Sequence, residues 1–70
     1  MITIANARKL AEEKTGKKAA SCAFYDEFYI FAFKDDPFLY KAVSKRDGRV
    51  FNFTPSLDLI GYAEAKKVTF

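Results

Sequence analysis

Two pairs of acidic residues stand at either end of one apolar segment, Asp26–Glu27 before it and Asp35–Asp36 after it. Paired carboxylates could share the acid and base roles of a catalytic site or hold a divalent cation. If the segment is a β-strand, its rise of about 3.3 Å per residue places the two pairs roughly 23 Å apart, too far to act together. Asp36 is followed by Pro37, a combination typical of turns, so a turn is favoured over a cation site.

The chain has a single cysteine, Cys22, and no histidine. A catalytic thiol needs a neighbouring base to form the thiolate, and histidine, the usual base, is missing. The same counts exclude an intrachain disulfide and a standard tetrahedral zinc site. We therefore expect no metal, no cofactor and no enzymatic activity, although a catalyst built from lysine, tyrosine or glutamate would leave no such pattern. Cys22 is then best interpreted as a small buried residue, and its free thiol favours a reducing, cytoplasmic location.

A basic cluster surrounds the Asp47–Gly48 pair and alternates with aromatic residues. Its members are Lys41, Lys45, Arg46 and Arg49, with Tyr40, Phe51 and Phe53 between and beside them. Basic side chains next to exposed aromatic rings can hold phosphates and stack on bases. Lys41 and Lys45, however, share their strand parity with apolar Val43, and lysines on a hairpin also protect a sheet edge. A solvated edge is favoured, with weak nucleic-acid or anion binding as the alternative.

The length and composition indicate one small domain, residues 1–70. A core of this size contributes about 3–5 kcal/mol, and chains of this length often add a disulfide, a metal or a partner subunit. Eight phenylalanines and four tyrosines make 17% of the residues aromatic, so a dense aromatic core could replace such a support. The net charge of +3 is ordinary for solubility and does not by itself predict a nucleic-acid partner.

Residues 3–15 are predicted to form a helix. Thr3 can cap its first turn, and Gly16 stands where a left-handed residue ends a helix. Ile4, Ala7, Leu10 and Ala11 lie on one stripe, whose small residues allow close packing on a sheet. The N-terminal segment lacks the pattern of a secretory signal, and no stretch reaches the ~20 apolar residues of a membrane span, so no membrane association is expected.

Four strands are predicted at residues 19–25, 28–34, 38–44 and 50–53. Asp26–Glu27 would connect the first two, a turn at residues 35–37 the next two, and a type I′ turn at Asp47–Gly48 the last two. The second strand is apolar on both sides: Phe28, Ile30 and Ala32 on one, Tyr29, Phe31 and Phe33 on the other. Such a strand needs cover on both faces, from a second helix, the C-terminal tail or another subunit.

The C-terminal third is predicted to form a short helix that starts at Thr54–Pro55 and continues to Tyr62. Gly61 in its middle costs roughly 1 kcal/mol relative to alanine. Val68 to Phe70 has the composition of a strand and could pair with a sheet edge. The predicted fold class is α+β: an antiparallel sheet of three to four strands with an N-terminal helix on one face and a short C-terminal helix, in the order α-β-β-β-β-α.

This layout resembles the small bacterial immunity-type domains of the YrhB-like family. The resemblance is carried by the helix with Ala7 and Ala11, the aromatic segment 29–33, and the segment 43–50 followed by Pro55. The chain is also similar to PepSY-like domains, in which a helix precedes a hairpin with the same turn. Both resemblances imply a non-enzymatic protein that binds another protein, and neither assigns site residues.

Two functions are therefore predicted in order. The first is protein interaction or self-association through an aromatic sheet face that contains Tyr29, Phe31, Phe33, Tyr40 and Phe53. If one apolar face stays uncovered in the monomer, it is suited to a partner, whereas simple core filling would leave no such face. The second is weak nucleic-acid or anion binding by Lys41, Lys45, Arg46 and Arg49, which would weaken steeply with salt.

Overall fold

An antiparallel sheet of five strands carries a helix on one face in the computed structural model, which describes all 70 residues. In chain order the elements are α1 (Ile4–Thr15), β1 (Ala19–Tyr25), β2 (Phe28–Phe33), β3 (Asp36–Ser44), β4 (Val50–Asn52), a 3₁₀ turn (Pro55–Leu57), α2 (Leu59–Glu64) and β5 (Lys66–Thr69). The strands lie in the order β4-β3-β2-β1-β5. The predicted α+β class is confirmed, with one strand more than expected. No helix is both long and apolar enough to cross a bilayer.

Helix α1 begins and ends where the sequence predicts. The Thr3 hydroxyl accepts a hydrogen bond from the Asn6 N–H at 3.2 Å, and Gly16 has a φ of 71°. Ala7 and Ala11 are fully buried against the sheet. Because their side chains are single methyl groups, the helix backbone lies close to the strands beneath it.

The link from α1 to β1 depends on one carboxylate. Glu12 Oε2 accepts hydrogen bonds from the Ala19 N–H at 2.8 Å and from Arg8 Nε at 3.2 Å. The Ala19 N–H, and then Arg8, hold the pKa of Glu12 below its ordinary value of 4.5. A pKa lowered by folding contributes stability above the ordinary value, and that stability is lost as the pH falls through the folded-state pKa.

Glu12→Ala is expected to lower the free energy of unfolding by about 1 kcal/mol at pH 7. The loss should shrink at pH 3, below the ordinary pKa of 4.5, because the stability that the lowered pKa provides is lost as the pH falls. Urea unfolding at the two pH values measures both effects. Glu13→Ala is the matched control, since Glu13 is an exposed neighbour on the same helix. Equal losses in the two variants would contradict the role given to Glu12.

The loop between β3 and β4 differs from the prediction. A type I′ turn needs a positive φ at both central residues, but only Gly48, with a φ of 77°, has one. The chain instead makes a wider loop, in which the Gly48 N–H donates to Ser44 O and the Ser44 N–H to Arg49 O, both at 2.9 Å. A Cβ atom at Gly48 would lie 3.0 Å from Leu10 Cδ1, so the loop also packs on α1.

Two irregularities change the strand pairing. Ala19 pairs with Phe33 while Ser21 pairs with Ala32, so one extra residue of β1 is accommodated at position 20. This bulge brings Ala19 and Cys22 onto the same side of the sheet although they are three residues apart. A second shift lies between Ala32 and Phe33 of β2 and lets β3 begin at Asp36, earlier than predicted.

The predicted C-terminal helix is broken at Asp58, where φ is −152°. The Asp58 carboxylate caps α2 by accepting a hydrogen bond from the Gly61 N–H at 3.0 Å. A Cβ atom at position 61 would collide with that carboxylate, so the glycine that weakens the helix also permits its cap. Val68 then pairs with Cys22 in the ladder between β5 and β1. The strand-like tail is thus the fifth strand.

The buried residues lie on both sides of the sheet. On the side of α1 they are Ala7, Ala11, Ala19, Cys22, Tyr29, Phe31, Phe33 and Val43. On the opposite side, the second face, they are Ala23, Ile30 and Ala42. The apolar residues on both sides of β2 therefore have two covers, α1 on one side and the C-terminal segment with Tyr62 and Ala65 on the other.

Candidate functional site

The five aromatic residues predicted to form one contact surface lie on two different faces. Tyr29, Phe31 and Phe33 are buried against α1. Tyr40 and Phe53 are half-buried on the second face. The grouping is therefore wrong: residues 29, 31 and 33 share one side of β2, and α1 covers that side. Only Tyr40 and Phe53 stay near a surface that a partner could reach.

Aromatic side chains surround the small buried residues of the second face. Tyr62 of α2 is central, with its ring 5.8 Å from that of Tyr40 and 5.7 Å from that of Phe53. The Phe53 ring in turn lies 5.7 Å from that of Tyr25. These separations are in the range of favourable ring pairs. Tyr62 therefore joins the C-terminal segment to β1, β3 and the end of β4.

An apolar pocket of about 250 Å³ opens on the second face. It is lined by Tyr25, Phe28, Ile30, Ala42, Phe51, Asn52 and Phe53. The Phe28 and Phe51 rings meet edge to face at 5.9 Å, and Phe51 is 45% exposed. We call this space the aromatic pocket. Phe53 is the only one of the five predicted contact residues that lines it.

The segment Pro55–Glu64, here called the outer layer, crosses outside the second face. Leu57, Leu59 and Ile60 are 79%, 66% and 74% exposed, and no residue of the 3₁₀ turn or of α2 is buried. Tyr62 contacts the sheet side while these three aliphatic side chains remain in solvent. An element that is apolar on both sides normally lies inside a protein. The outer layer therefore lacks a cover.

Sequence reasoning placed these residues in a short helix and did not identify them as a surface. The sequence does contain a signal for an exposed apolar surface. In any helix, more than one face would be occupied by the apolar residues Leu57, Leu59, Ile60 and Tyr62. With Tyr62 turned toward the sheet, the aliphatic residues cannot all point inward. The break at Asp58 places Leu57 in the 3₁₀ turn and Leu59 and Ile60 in α2. These three side chains therefore do not form one apolar stripe along a single helix.

A hydrogen bond holds the outer layer to the sheet. The Tyr25 hydroxyl donates to Asp58 Oδ2. This bond, followed by the Gly61 N–H, lowers the pKa of Asp58, and the same bond to Asp58 raises the pKa of Tyr25. The two directions agree, since both favour a neutral phenol next to an ionised carboxylate. The outer layer is thus positioned by Asp58 and Tyr62 rather than by its aliphatic residues.

Two of the predicted basic residues lie beside acidic neighbours. Lys45 Nζ donates to Asp26 O at 2.8 Å and lies 5.2 Å from the Tyr29 ring centroid. Lys45 and Arg46 line one pocket of about 250 Å³ together with Asp26 and Glu27. The two basic side chains therefore share this pocket with two acidic residues, and the Lys45 hydrogen bond goes to the Asp26 backbone carbonyl rather than to a carboxylate.

The other two basic residues have partners of their own. Lys41 Nζ donates to Asn52 Oδ1 across the β3–β4 ladder. Arg49 Nε lies 3.5 Å from Asp47 Oδ2 within the loop. Lys41 and Arg49 thus contact neighbours different from those that share a pocket with Lys45 and Arg46.

The acidic pairs lie beyond the two ends of β2: Asp26–Glu27 form the turn to it, whereas Asp35 is in the following turn and Asp36 is already the first residue of β3. Asp26 has a φ of 52° in the two-residue connection from β1 to β2, a conformation that aspartate tolerates. Asp36 Oδ1 accepts a hydrogen bond from the Phe38 N–H at 3.3 Å, the pattern of an Asx turn. No three acidic or cysteine side chains come together as metal ligands.

Cys22 is buried under α1, and its thiol donates to Ala23 O at 3.7 Å. Loss of solvation raises its pKa from 9.0 to about 11. We expect the native thiol to resist alkylation at pH 7.5 and to react quickly in urea, which mass spectrometry after iodoacetamide treatment would show. Because the pKa is raised by folding, stability should fall as the pH rises from 9.0 toward 11. Rapid labelling of the folded protein would contradict this burial.

Comparison with known proteins finds no matching family model. It also finds no significant match among curated proteins or solved structures. The case for function therefore depends on the geometry of the second face and of the outer layer.

Proposed function

We propose that this chain is a small protein-interaction domain whose contact surface is the outer layer. The observation that carries the proposal is that Leu57, Leu59 and Ile60 are exposed on a segment whose opposite side already packs on the sheet. This surface replaces the predicted one, of which only Tyr40 and Phe53 lie on the same face.

The three exposed aliphatic side chains offer apolar surface that a partner would bury. Burying a leucine or isoleucine side chain completely contributes about 1.5–3 kcal/mol. Three such residues together offer at most about 4.5–9 kcal/mol, from which the cost of association must be subtracted. Contiguous exposed aliphatic residues on a small protein are typical of an interaction site.

The chemistry of the surface favours protein over nucleic acid. Aliphatic side chains neither stack on bases as aromatic rings do nor neutralise phosphates. The acidic residues Asp58 and Glu64 belong to the same layer and would repel a phosphate backbone. The partner is expected to present apolar side chains that pack on Leu57, Leu59 and Ile60.

The test compares capture by matched variants. Leu57→Ser with Ile60→Ser removes the aliphatic surface, and Phe38→Ser, at a 90% exposed residue of β3, is the control. Tagged proteins are incubated with lysate and washed at low and at high salt. We expect a stoichiometric protein that survives high salt with the unchanged chain and with Phe38→Ser, and that is lost with the double variant.

Two results would contradict the proposal. One is capture of the same protein by the double variant, provided that its circular dichroism and urea midpoint match those of the unchanged chain. The other is recovery of nucleic acid alone, released by high salt and lost on changing Lys45, Arg46 and Arg49 to serine. That result would support the alternative of a weak nucleic-acid binder.

A further inference from the structure

Strand β4 forms one edge of the sheet, and its hydrogen-bonding pattern determines which backbone groups point outward. The Ser44 N–H donates to Arg49 O at 2.9 Å, and the Phe53 N–H donates to Tyr40 O at 3.4 Å. Residues 49, 51 and 53 therefore direct their backbone groups toward β3, because antiparallel pairs alternate in this respect. Val50 and Asn52 direct their N–H and C=O groups away from the sheet.

The two edges of the sheet differ in chemistry. At the other edge, β5 contains Lys66 and Lys67, and lysines on an edge strand discourage pairing with another chain. Val50, Phe51 and Asn52 carry no charge and include no proline, and Phe51 is 45% exposed. The β4 edge thus has neither lysine nor proline to prevent pairing with another chain, and only its short length limits such pairing.

We propose that two copies of this chain pair through β4 about a twofold axis at Phe51. In that register Val50 of each copy lies opposite Asn52 of the other, and four N–H···O=C bonds satisfy every outward group of both strands. The arrangement is self-complementary, because Val50 and Asn52 lie symmetrically on either side of the twofold axis at Phe51. The ten strands would then form one continuous sheet.

The side chains agree with this register. The two Phe51 residues face each other as a pair without backbone bonds between them, where side chains approach most closely. Each Phe51 ring already meets its own Phe28 at 5.9 Å, so four rings would line up across the axis. Arg49 would lie opposite Phe53 of the second copy, and no like charges would be opposed.

Other pairings at this edge are less consistent with the structure. Pairing of β4 with β5 of another copy would be head to tail and would leave an open edge at each end, producing filaments. An unrelated extended peptide could form the same backbone bonds, but only a second copy places an aromatic ring opposite Phe51 in every case. The interface is smaller than the ~800 Å² per partner of standard complexes, so the dimer should be weak and concentration-dependent.

This inference does not depend on the function proposed for the outer layer. It uses the free edge of β4 and none of Leu57, Leu59 or Ile60. The experiment is sedimentation velocity of the whole chain from 10 µM to 1 mM, concentrations chosen on the order expected for a small interface. We expect a monomer–dimer equilibrium that Phe51→Lys, which opposes two charges, weakens by at least about tenfold. Phe38→Lys is the matched control and should leave the equilibrium unchanged.

Amide hydrogen exchange locates the contact independently. Protection of the Val50 and Asn52 amides should rise with protein concentration, whereas the amides of Lys67 and Thr69, which point outward from β5, should not respond. A monomer at 1 mM, growth into species larger than a dimer, or a dimer lost in the Leu57→Ser, Ile60→Ser variant but kept in Phe51→Lys would each overturn the inference. Partner capture by Phe51→Lys tests the outer layer separately.

Discussion

Phe31→Ala is expected to remove about 3–5 kcal/mol from the free energy of unfolding. That is close to all the net stability that a core of this size provides. Phe31 is fully buried, and its ring contacts those of Tyr29 at 6.5 Å and Phe70 at 6.2 Å between centroids. The substitution would leave a cavity between β2 and α1 that the fully packed alanines of the helix cannot fill.

The variant should therefore be largely unfolded at 25 °C in buffer, which far-ultraviolet circular dichroism and urea titration would show. Phe38→Ala makes the same chemical change at a residue that is 90% exposed, and it should alter stability by no more than about 0.5 kcal/mol. A cooperative urea transition for Phe31→Ala with a midpoint near that of the unchanged protein would show that α1 does not pack on this ring.

Ala11→Leu is expected to have the next largest effect, a loss of about 1–3 kcal/mol. Ala11 is fully buried where α1 meets the sheet, so three extra carbon atoms must displace the helix or force neighbouring side chains from their rotamers. Intrinsic helix propensity hardly changes, since alanine and leucine are both strong helix formers. The loss would therefore report the packing of the helix on the sheet.

Ala5→Leu is the matched control, because Ala5 is an exposed residue of the same helix. It should be nearly neutral in urea unfolding. Equal destabilisation by the two variants would indicate a general effect on the helix, and a neutral Ala11→Leu would mean that α1 is not in close contact with the strands.

The two faces of the sheet give the chain different physical roles. The α1 side contains most of the buried aromatic residues and provides the stability that the two variants above measure. On the second face only Ala23, Ile30 and Ala42 are buried, and the outer layer that lies over them is itself apolar on its solvent side. A partner that covered the outer layer would complete this side as α1 completes the other. The resemblance to immunity-type and PepSY-like domains stays a prediction.

Local sequence signals alone determined most of the secondary structure. Thr3 and Gly16 set the ends of α1, and alternating apolar residues between turn residues set the first four strands. These signals act over a few residues, through caps, turn conformations and side-chain periodicity, and so they can be recognised without the fold. The burial of Cys22 and the turn at Asp26–Glu27 belong to this group, whereas the predicted turn at residues 35–37 is shifted toward the N-terminus because Asp36 and Pro37 belong to β3.

Only the tertiary structure decided which apolar side of β2 is covered by which element. The alternation in residues 28–33 shows two apolar sides, but it contains nothing that assigns α1 to the side of Phe31. That choice depends on long-range packing and on the bulge at position 20, which no local pattern marks. The break at Asp58 likewise depends on Tyr25, 33 residues away in the chain. The exposed surface is what remains after these distant contacts form, and for this reason the sequence did not show that Tyr29, Phe31 and Phe33 lie on a different face from Tyr40 and Phe53.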